Sequence, residues 1–368
     1  MKLALVVPGG VDRSGEYHVI PALLALIKRL SAQHELHVYA LHQESRPAHW
    51  SLGRARVHNI GFGYTRLRAI QALRQEHRVS QFHLVQSIWS GACGFIAVSA
   101  ARILGIPGLV HVAGGELVSM QDIPYGGRTT WRGRVREAIV LRAATTVTAA
   151  SSPMIGSLST LGIAARRVPL GVDLQTWPLR RPIAHERGSP FQLIHVASLN
   201  HVKDQPTLLR ALAELRKSGR NVRLDVVGED TLSGQIQRLA TELQLDDRVC
   251  FHGFLTQRRL RPLVERAQLM VMCSRHEAGP LAVLEAAISG VPTVGTAVGH
   301  VAEWAEEAAL SVPVGDASGL AAAIDRFITD DALRLRIAEE AQRRAEREDA
   351  DYTARSFESM YAKLTRSS

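Results

Sequence analysis

Short β-rich apolar runs alternate with amphipathic helical patterns along most of this chain, and they do so in two series. In the first, apolar runs fall at 2–7, 35–41, 83–87, 108–113 and 145–149, with helical patterns near 18–31, 66–78, 91–104 and 131–143. In the second, runs at 191–197, 222–228, 248–251, 269–273 and 291–294 alternate with helical patterns near 204–218, 232–244, 257–266, 280–289 and 317–328. Parallel strands need a long crossover, and a helix packed on the sheet is the usual one. The alternation therefore predicts an α/β chain with two doubly wound, Rossmann-like domains built on parallel sheets.

The two series meet at an aperiodic stretch. Val168-Pro169-Leu170-Gly171-Val172-Asp173 closes the first, and residues 174–190 hold Pro178, Pro182 and Pro190 among several charges. Residues 1–173 are expected as one domain, 174–190 as a linker and 191–345 as a second domain. With 368 residues in all, each half is long enough to bury its own core. Residues 331–366 form a long charged helical pattern ending in Phe357, Met360, Tyr361 and Leu364. One reading is a solvated helix with one docked face; the sharper one has residues 346–368 crossing back onto the first domain. Ligands of such sheets bind outside the carboxyl ends of the strands. The chemistry is therefore expected in strand-to-helix loops, with the two sheets facing a central cleft.

Composition narrows the function classes. Aromatic residues are only 5%, too few for rows of stacking rings, and no recognition motif is present, so nucleic acid is not an expected partner. Cys93, Cys250 and Cys273 are far apart and odd in number, which suits neither a disulfide framework nor a metal-ligand spacing. They are expected as small buried hydrophobes in a reducing compartment. The opening apolar stretch ends early at Gly9-Gly10 and reads as a buried first strand rather than a signal peptide. The apolar region 91–113 is broken by Arg102 and Gly105-Ile106-Pro107, so it reads as helix, turn and strand rather than a membrane span. A cytoplasmic protein is expected. Its net charge of +9 is uneven: residues 1–173 carry 19 Lys and Arg against 9 Asp and Glu, and the remainder carries 25 against 26. An acidic partner surface is therefore expected on the first half only.

The stretch from Cys273 to Ala287 follows the apolar run Leu269–Met272 and opens a helical pattern. Pro280 suits the first turn of that helix. Glu277 precedes it and Glu285 lies two turns inside, among Ala and Leu. A carboxyl in such surroundings needs a partner. Paired ribose hydroxyls would supply one, and the free N–H groups at the helix start would attract a phosphate. On spacing alone the pair reads equally well as a helix cap and a peripheral salt-bridging residue.

Glu277-x7-Glu285, followed by Gly290-Val291-Pro292-Thr293-Val294 and by Val298-Gly299-His300-Val301-Ala302-Glu303, resembles the donor-binding core of family 4 glycosyltransferases of the GT-B fold. The other motifs agree in order. Gly9-Gly10 follows the first strand; Gly171-Val172-Asp173 precedes the linker; His195 to Asp204 resembles the first strand and phosphate loop of the second domain. Val226-Val227-Gly228-Glu229 and Phe251-His252-Gly253-Phe254-Leu255 fall in their expected places. The resemblance implies a retaining glycosyltransferase that moves a sugar from a nucleoside-diphosphate sugar to a sugar or lipid-linked acceptor, as in cell-surface polysaccharide or glycolipid synthesis, with no metal or other cofactor required. Glu277 would bind hydroxyls of the donor sugar, Glu285 the ribose and Lys203 the diphosphate. Ser198, Asn200, Gly228, Ala278, Gly279, Pro280 and Leu281 would line the donor site. Backbone N–H groups at Gly9-Gly10 and around Val298, Gly299 and His300 would complete the phosphate cradle, and backbone near Phe254 would face the base.

Three departures stand out. The family's usual Arg shortly before the Lys is missing: Ser198 occupies that region, with no Arg between 192 and 202. The usual Gly-Phe-Gly after the first Glu is Ala278-Gly279-Pro280. The usual His-Gly after a first-domain strand is replaced by Val110-His111-Val112-Ala113-Gly114-Gly115-Glu116. His111 is expected inside that strand facing the core, with an acceptor-side role as the alternative, and Glu116 is an acceptor-side candidate. Rival readings are a GT-B epimerase or phosphorylase, and a sugar-nucleotide-binding subunit that serves a partner.

The first half also carries arginine-rich helical segments. Arg66, Arg68, Arg74 and Arg78 accompany Leu67, Ile70 and Leu73, while Arg128, Arg132, Arg134, Arg136 and Arg142 surround Trp131, Val135, Ile139 and Leu141. These read either as ordinary basic surface or as helices that lie on the inner, anionic face of a membrane.

Overall fold

The chain folds into two compact units, residues 1–171 with 348–366 forming one and residues 172–347 the other. The structure, a computed structural model, describes residues 1–186 and 188–366, so Arg187 of the expected linker lies outside the described residues.

The first unit contains β1 (Lys2–Val7), α1 (Pro21–Gln33), β2 (Glu35–Ala40), β3 (Ala48–Leu52), β4 (Ala55–Asn59), α2 (Thr65–Val79), β5 (Leu84–Ile88) and α3 (Ala92–Leu104). β6 (Gly108–Val112), α4 (Trp131–Ala143), β7 (Thr146–Ala149), α5 (Ser152–Thr160) and β8 (Arg166–Arg167) complete the series. The sheet order is β3-β4-β2-β1-β5-β6-β7-β8, parallel except for the β3–β4 hairpin. All six residues of β1 are buried, because helices cover both faces of the sheet. Alternate side chains serve alternate layers. Leu3, Leu5 and Val7 join Leu23, Leu26 and Ile27 of α1, whereas Ala4 and Val6 join Leu73 of α2 and Ile96 of α3.

The second unit contains β9 (Phe191–Val196), α6 (Gln205–Lys217), β10 (Val222–Val227), α7 (Gln235–Glu242), β11 (Val249–Phe251), α8 (Gln257–Arg266), β12 (Leu269–Met272) and α9 (Leu281–Ile288). β13 (Thr293–Thr296), α10 (Gly299–Glu303), β14 (Ala309–Val312), α11 (Ala317–Thr329) and α12 (Asp331–Arg347) follow. Its sheet runs β11-β10-β9-β12-β13-β14, wholly parallel. Segment 174–190 is aperiodic, yet Trp177 within it is buried in this unit's core.

The charged tail is two helices. α12 belongs to the second unit, and after a break at Glu348-Asp349, α13 (Ala350–Arg366) packs in the first. Phe357, Met360 and Tyr361 enter the core beside α1. Arg167 forks onto Glu348 at 2.7 and 2.6 Å. The Thr353 hydroxyl donates to the Pro169 carbonyl at 2.8 Å and accepts from the Gly171 N–H at 2.9 Å. A Cβ at Gly171 would collide with the backbone of Glu348 and Asp349, so only glycine permits this crossing.

One expectation needs correction. Cys250 is exposed on the edge strand β11, whereas Cys93 and Cys273 are buried. The fold also creates a grouping invisible in the spacing: ligand atoms of Asp225, Cys250 and His252 lie within 4.8 Å of one another. There Asp225 already accepts from Gln192, Arg266 and His252 at 2.9, 2.8 and 2.7 Å.

Candidate active site

The order of the second sheet reverses between β9 and β12, since β9 pairs with β10 on one side and β12 on the other. Loops leaving the carboxyl ends of two such strands diverge and open a crevice. The loop after β9 carries Lys203, and the loop after β12 carries Glu277. The fold joins them: Lys203 Nζ lies 2.5 Å from Glu277 Oε1, and Ser274 Oγ donates to the same oxygen at 2.6 Å.

Two hydrogen bonds, one between backbones and one from a thiol, lock the two loops to each other. The Arg275 N–H donates to the Val202 carbonyl at 2.8 Å, and Cys273 Sγ to the Lys203 carbonyl at 3.1 Å. Asn200 Oδ1 accepts the N–H groups of Val202 and Lys203 at 3.1 and 3.2 Å, shaping the turn that presents the lysine. Thr296 Oγ1 donates to the Ser274 carbonyl at 2.5 Å. Beneath them His195 is buried, with Nδ1 2.9 Å from the Val271 carbonyl and Nε2 3.2 Å from Gln205 Nε2. The carbonyl can only accept, so Nδ1 carries the proton and Nε2 accepts from Gln205. Burial pushes the His195 pKa down to about 4, which keeps the ring neutral. Gln205 also donates to the Ser198 carbonyl at 3.1 Å, so Ser198 is held by its backbone.

Glycines let the surrounding backbone close in. Gly299 has φ +53, and a Cβ there would lie 2.8 Å from Pro280 and 2.9 Å from Glu277 Cβ. Gly228 has φ +156, and a Cβ would strike the Ala197 carbonyl. Its N–H donates to the Gly253 carbonyl at 2.9 Å, which brings the loop of Phe254 beside the loop after β10. Phe254 itself is exposed. Ala278 is buried, Gly279 continues the loop, and Pro280 caps α9, which starts at Leu281; the expected first-turn position of the proline is thus one residue early. Of the expected backbone donors, Val298 N–H is already used by the Thr296 carbonyl at 2.7 Å, while Gly299 and His300 begin α10.

Glu285 stands inside α9 and is 4% exposed. Its partner within the protein comes from α8. Trp177 Nε1–H donates to Gln257 Oε1, which leaves the Gln257 amide N–H groups to face the Glu285 carboxyl. Burial dominates, however, and raises the Glu285 pKa to about 7. Ser274, Gln257 and Trp177 were not singled out in the sequence. Ser274 stood inside the motif, but the other two reach the site from chain-distant positions and left no local signal.

The remaining expected residues belong to the first unit. Gly9-Gly10 follows β1 at that sheet's own reversal, between β1 and β5. Gly10 has φ +78, and its carbonyl accepts the Ile20 N–H at 3.0 Å. His111 lies within β6, fully buried, with Nδ1 2.9 Å from Thr148 Oγ1 and its ring edge-on to Phe357. This puts it in the core, which corrects its alternative acceptor-side reading. Glu116 is also buried, and its Oε1 accepts the Ser90 N–H at 3.0 Å. Ser90 Oγ donates to Glu137, a second buried acid whose pKa is raised to about 7 by burial. Glu116 thus braces a buried loop instead of projecting from it.

Residues 19–171 match the family described as the glycosyl transferase 4-like domain, and residues 179–344 match glycosyl transferases group 1. Among curated proteins, a glycogen synthase of Mycobacterium tuberculosis is 31% identical over 178 residues, covering 47% of this chain and 42% of that protein. The match therefore spans less than half of that relative's length. Among solved structures, sucrose-phosphate synthase from Thermosynechococcus elongatus superposes with a TM-score of 0.85 at 19% identity, covering 100% of both chains. HepE of Anabaena in complex with UDP gives 0.75 at 18% identity, over 99% of this chain and 100% of that one. The chain belongs to the group 1 glycosyltransferases with a 4-like amino-terminal domain, and its fold is GT-B.

Proposed function

We propose that this chain transfers a sugar, with retention of anomeric configuration, from a nucleoside-diphosphate sugar to an acceptor hydroxyl. The observation that carries the proposal is the Lys203–Glu277 pair at the β9/β12 reversal. Lys203 is a cation held at the crevice, where negative charge grows on the departing diphosphate. Glu277 holds that lysine in place until the donor enters, then turns its oxygens to hydroxyls of the donor sugar, with Ser274 keeping one of them oriented. Glu285 receives the ribose hydroxyls, and Gly299 lets backbone approach the phosphates. The UDP held by the HepE neighbour supports a nucleotide-binding role for the fold, and the acceptor is a sugar or a lipid-linked sugar.

The test uses Glu277→Ala. Lys203 is partly exposed and its flexible stem can turn to solvent, so the variant keeps its fold. Transfer falls by at least about a hundredfold, on the scale of losing one preorganised charge contact. Full activity with purified donor and acceptor would overturn the assignment. Nucleoside diphosphate released only when acceptor is present separates transfer from epimerisation. The missing Arg between 192 and 202 favours a second reading, a donor-binding subunit that serves a partner. Calorimetric donor binding without turnover on any acceptor would select it.

A further inference from the structure

α4 turns apolar side chains toward water. Gly133, Glu137, Val140 and Leu141 form its buried face. Trp131, Val135 and Ile139, spaced by four residues, form a stripe on the opposite face and are 64%, 49% and 55% exposed. Arg132, Arg134 and Arg142 flank the stripe and are exposed as well. Scattered exposed apolar residues need no explanation, but three in register on one helix do.

A second helix repeats the pattern. Phe62 and Tyr64, just before α2, and Leu67 in its first turn are exposed beside Arg66 and Arg68, and Arg74 and Arg78 follow on the outward side. α2 packs on α3 and α3 on α4, so the three helices form one layer on one face of the sheet. The acids of α2 and α4 do not offset these arginines. Glu76 is held by Lys2 at 2.5 Å, and Glu137 is buried against Ser90. Topology then fixes where the apolar residues sit. α2 follows β4 and α4 follows β6, and both strands run parallel to the rest of the sheet. Each helix therefore starts at the carboxyl-end edge, so Phe62, Tyr64, Leu67, Trp131 and Val135 rise from the edge that carries Gly9-Gly10.

We propose that this edge of the α2–α4 layer docks on an anionic lipid bilayer, with the apolar residues entering the acyl boundary and the arginines meeting headgroup phosphates. An aromatic and aliphatic stripe edged by arginines fits an interface that is apolar below and anionic above. A second copy of this chain would bring the same exposed arginines and leave them without a counter-surface. The inference extends the transfer reading, since it brings a lipid-linked acceptor to the edge where ligands of such sheets bind. It does not depend on that reading for its test.

The full chain is sedimented with vesicles of phosphatidylcholine alone or mixed with phosphatidylglycerol, at low and high salt. Wild type binds the mixed vesicles, and binding weakens as salt rises. Trp131→Ser/Val135→Ser/Ile139→Ser lowers the partition at least about tenfold. Arg132→Ala/Arg134→Ala lowers it about thirtyfold, given the usual contribution of each juxtamembrane arginine. Equal binding to both vesicle types, no binding to either, or variants that bind like wild type would each overturn the proposal. A lipid-free dimer that the serine variant dissolves would also overturn it, in favour of a chain–chain interface. Nucleotide release is measured in parallel with a water-soluble sugar acceptor and with a lipid-linked one incorporated in the vesicles. If wild type binds vesicles but shows no release, the transfer reading fails and the docking surface stands.

Discussion

Replacing Glu285 by Gln should stabilise the second unit, increasingly so as pH rises. The side chain is almost fully enclosed by α9 and its neighbours, and burial lifts its pKa from 4.5 to about 7. The folded state therefore prefers the protonated acid. Below pH 4.5 both states hold the proton and the acid costs nothing by this route. Between 4.5 and about 7 the unfolded chain releases its proton while the folded chain keeps it, so stability declines across that window and stays lowered above it. A shift of this size corresponds to roughly 3 kcal/mol, at about 1.4 kcal/mol per pH unit. Glutamine keeps the shape, and its carbonyl can still accept from Gln257, but it carries no charge to desolvate. Urea unfolding followed at pH 5 and at pH 8.5 should show a gain of about 1 kcal/mol at the lower pH and about 3 kcal/mol at the higher. A difference between variant and wild type that does not change with pH would refute the buried-acid argument. If Glu285 also receives ribose hydroxyls, the stabler protein binds the nucleotide more weakly, because an amide accepts fewer hydrogen bonds than a carboxylate.

Three further perturbations address other parts of the molecule. Lys203→Ala should lower kcat by about 10²–10³ with far unfolding unchanged, read from initial rates and from a denaturation curve on the same preparation. Gly228→Ala should fail to reach the native fold or unfold several degrees earlier, because a Cβ would strike the Ala197 carbonyl and φ +156 strains any side chain; an unchanged melting temperature would contradict the geometry. Thr353→Val should destabilise the first unit by about 2–5 kcal/mol, since it leaves both the Pro169 carbonyl and the Gly171 N–H buried without their partner, and hydrogen exchange in α13 should accelerate in step.

How much of this could be read from the chain depended on whether the signal was local. β1, β9 and β12 announce themselves as short apolar runs because strands covered on both faces must be apolar throughout. The β3–β4 hairpin leaves no such run: β3 is an edge strand with no fully buried residue, and its Ala-His-Trp-Ser-Leu alternates apolar and polar residues over only five positions. β14 leaves no clear run either: its Ala-Leu-Ser-Val is interrupted by a serine and closed at once by Pro313. Lys203 and Glu277 were legible through their motifs and order. Their 2.5 Å contact was not, since it depends on the reversal between β9 and β12, a property of the sheet and not of either segment. His111 shows the opposite case. The spacing of the strand allowed two readings, and only the enclosure by Thr148 and Phe357 decides between them.

The two glutamates share a motif, yet the fold gives them opposite surroundings. Glu277 lies on a loop, ion-paired with Lys203 and oriented by Ser274, so a donor can compete for its oxygens by displacing one flexible lysine. Glu285 lies on a rigid helix against Gln257, where burial favours its proton up to about pH 7. A ligand reaching Glu285 must replace an uncharged, enclosed contact, whereas one reaching Glu277 must break an ion pair. Donor affinity should therefore depend on pH through Glu285, strengthening as pH rises from 6 to 8 because the carboxylate accepts two hydroxyls where the protonated acid accepts fewer. Calorimetric titration of wild type and Glu285→Gln across that range isolates the effect. The wild-type dissociation constant should fall with pH while that of the variant stays flat. Parallel slopes in the two proteins would place the titrating group elsewhere, and would leave Glu285 as a core residue of α9.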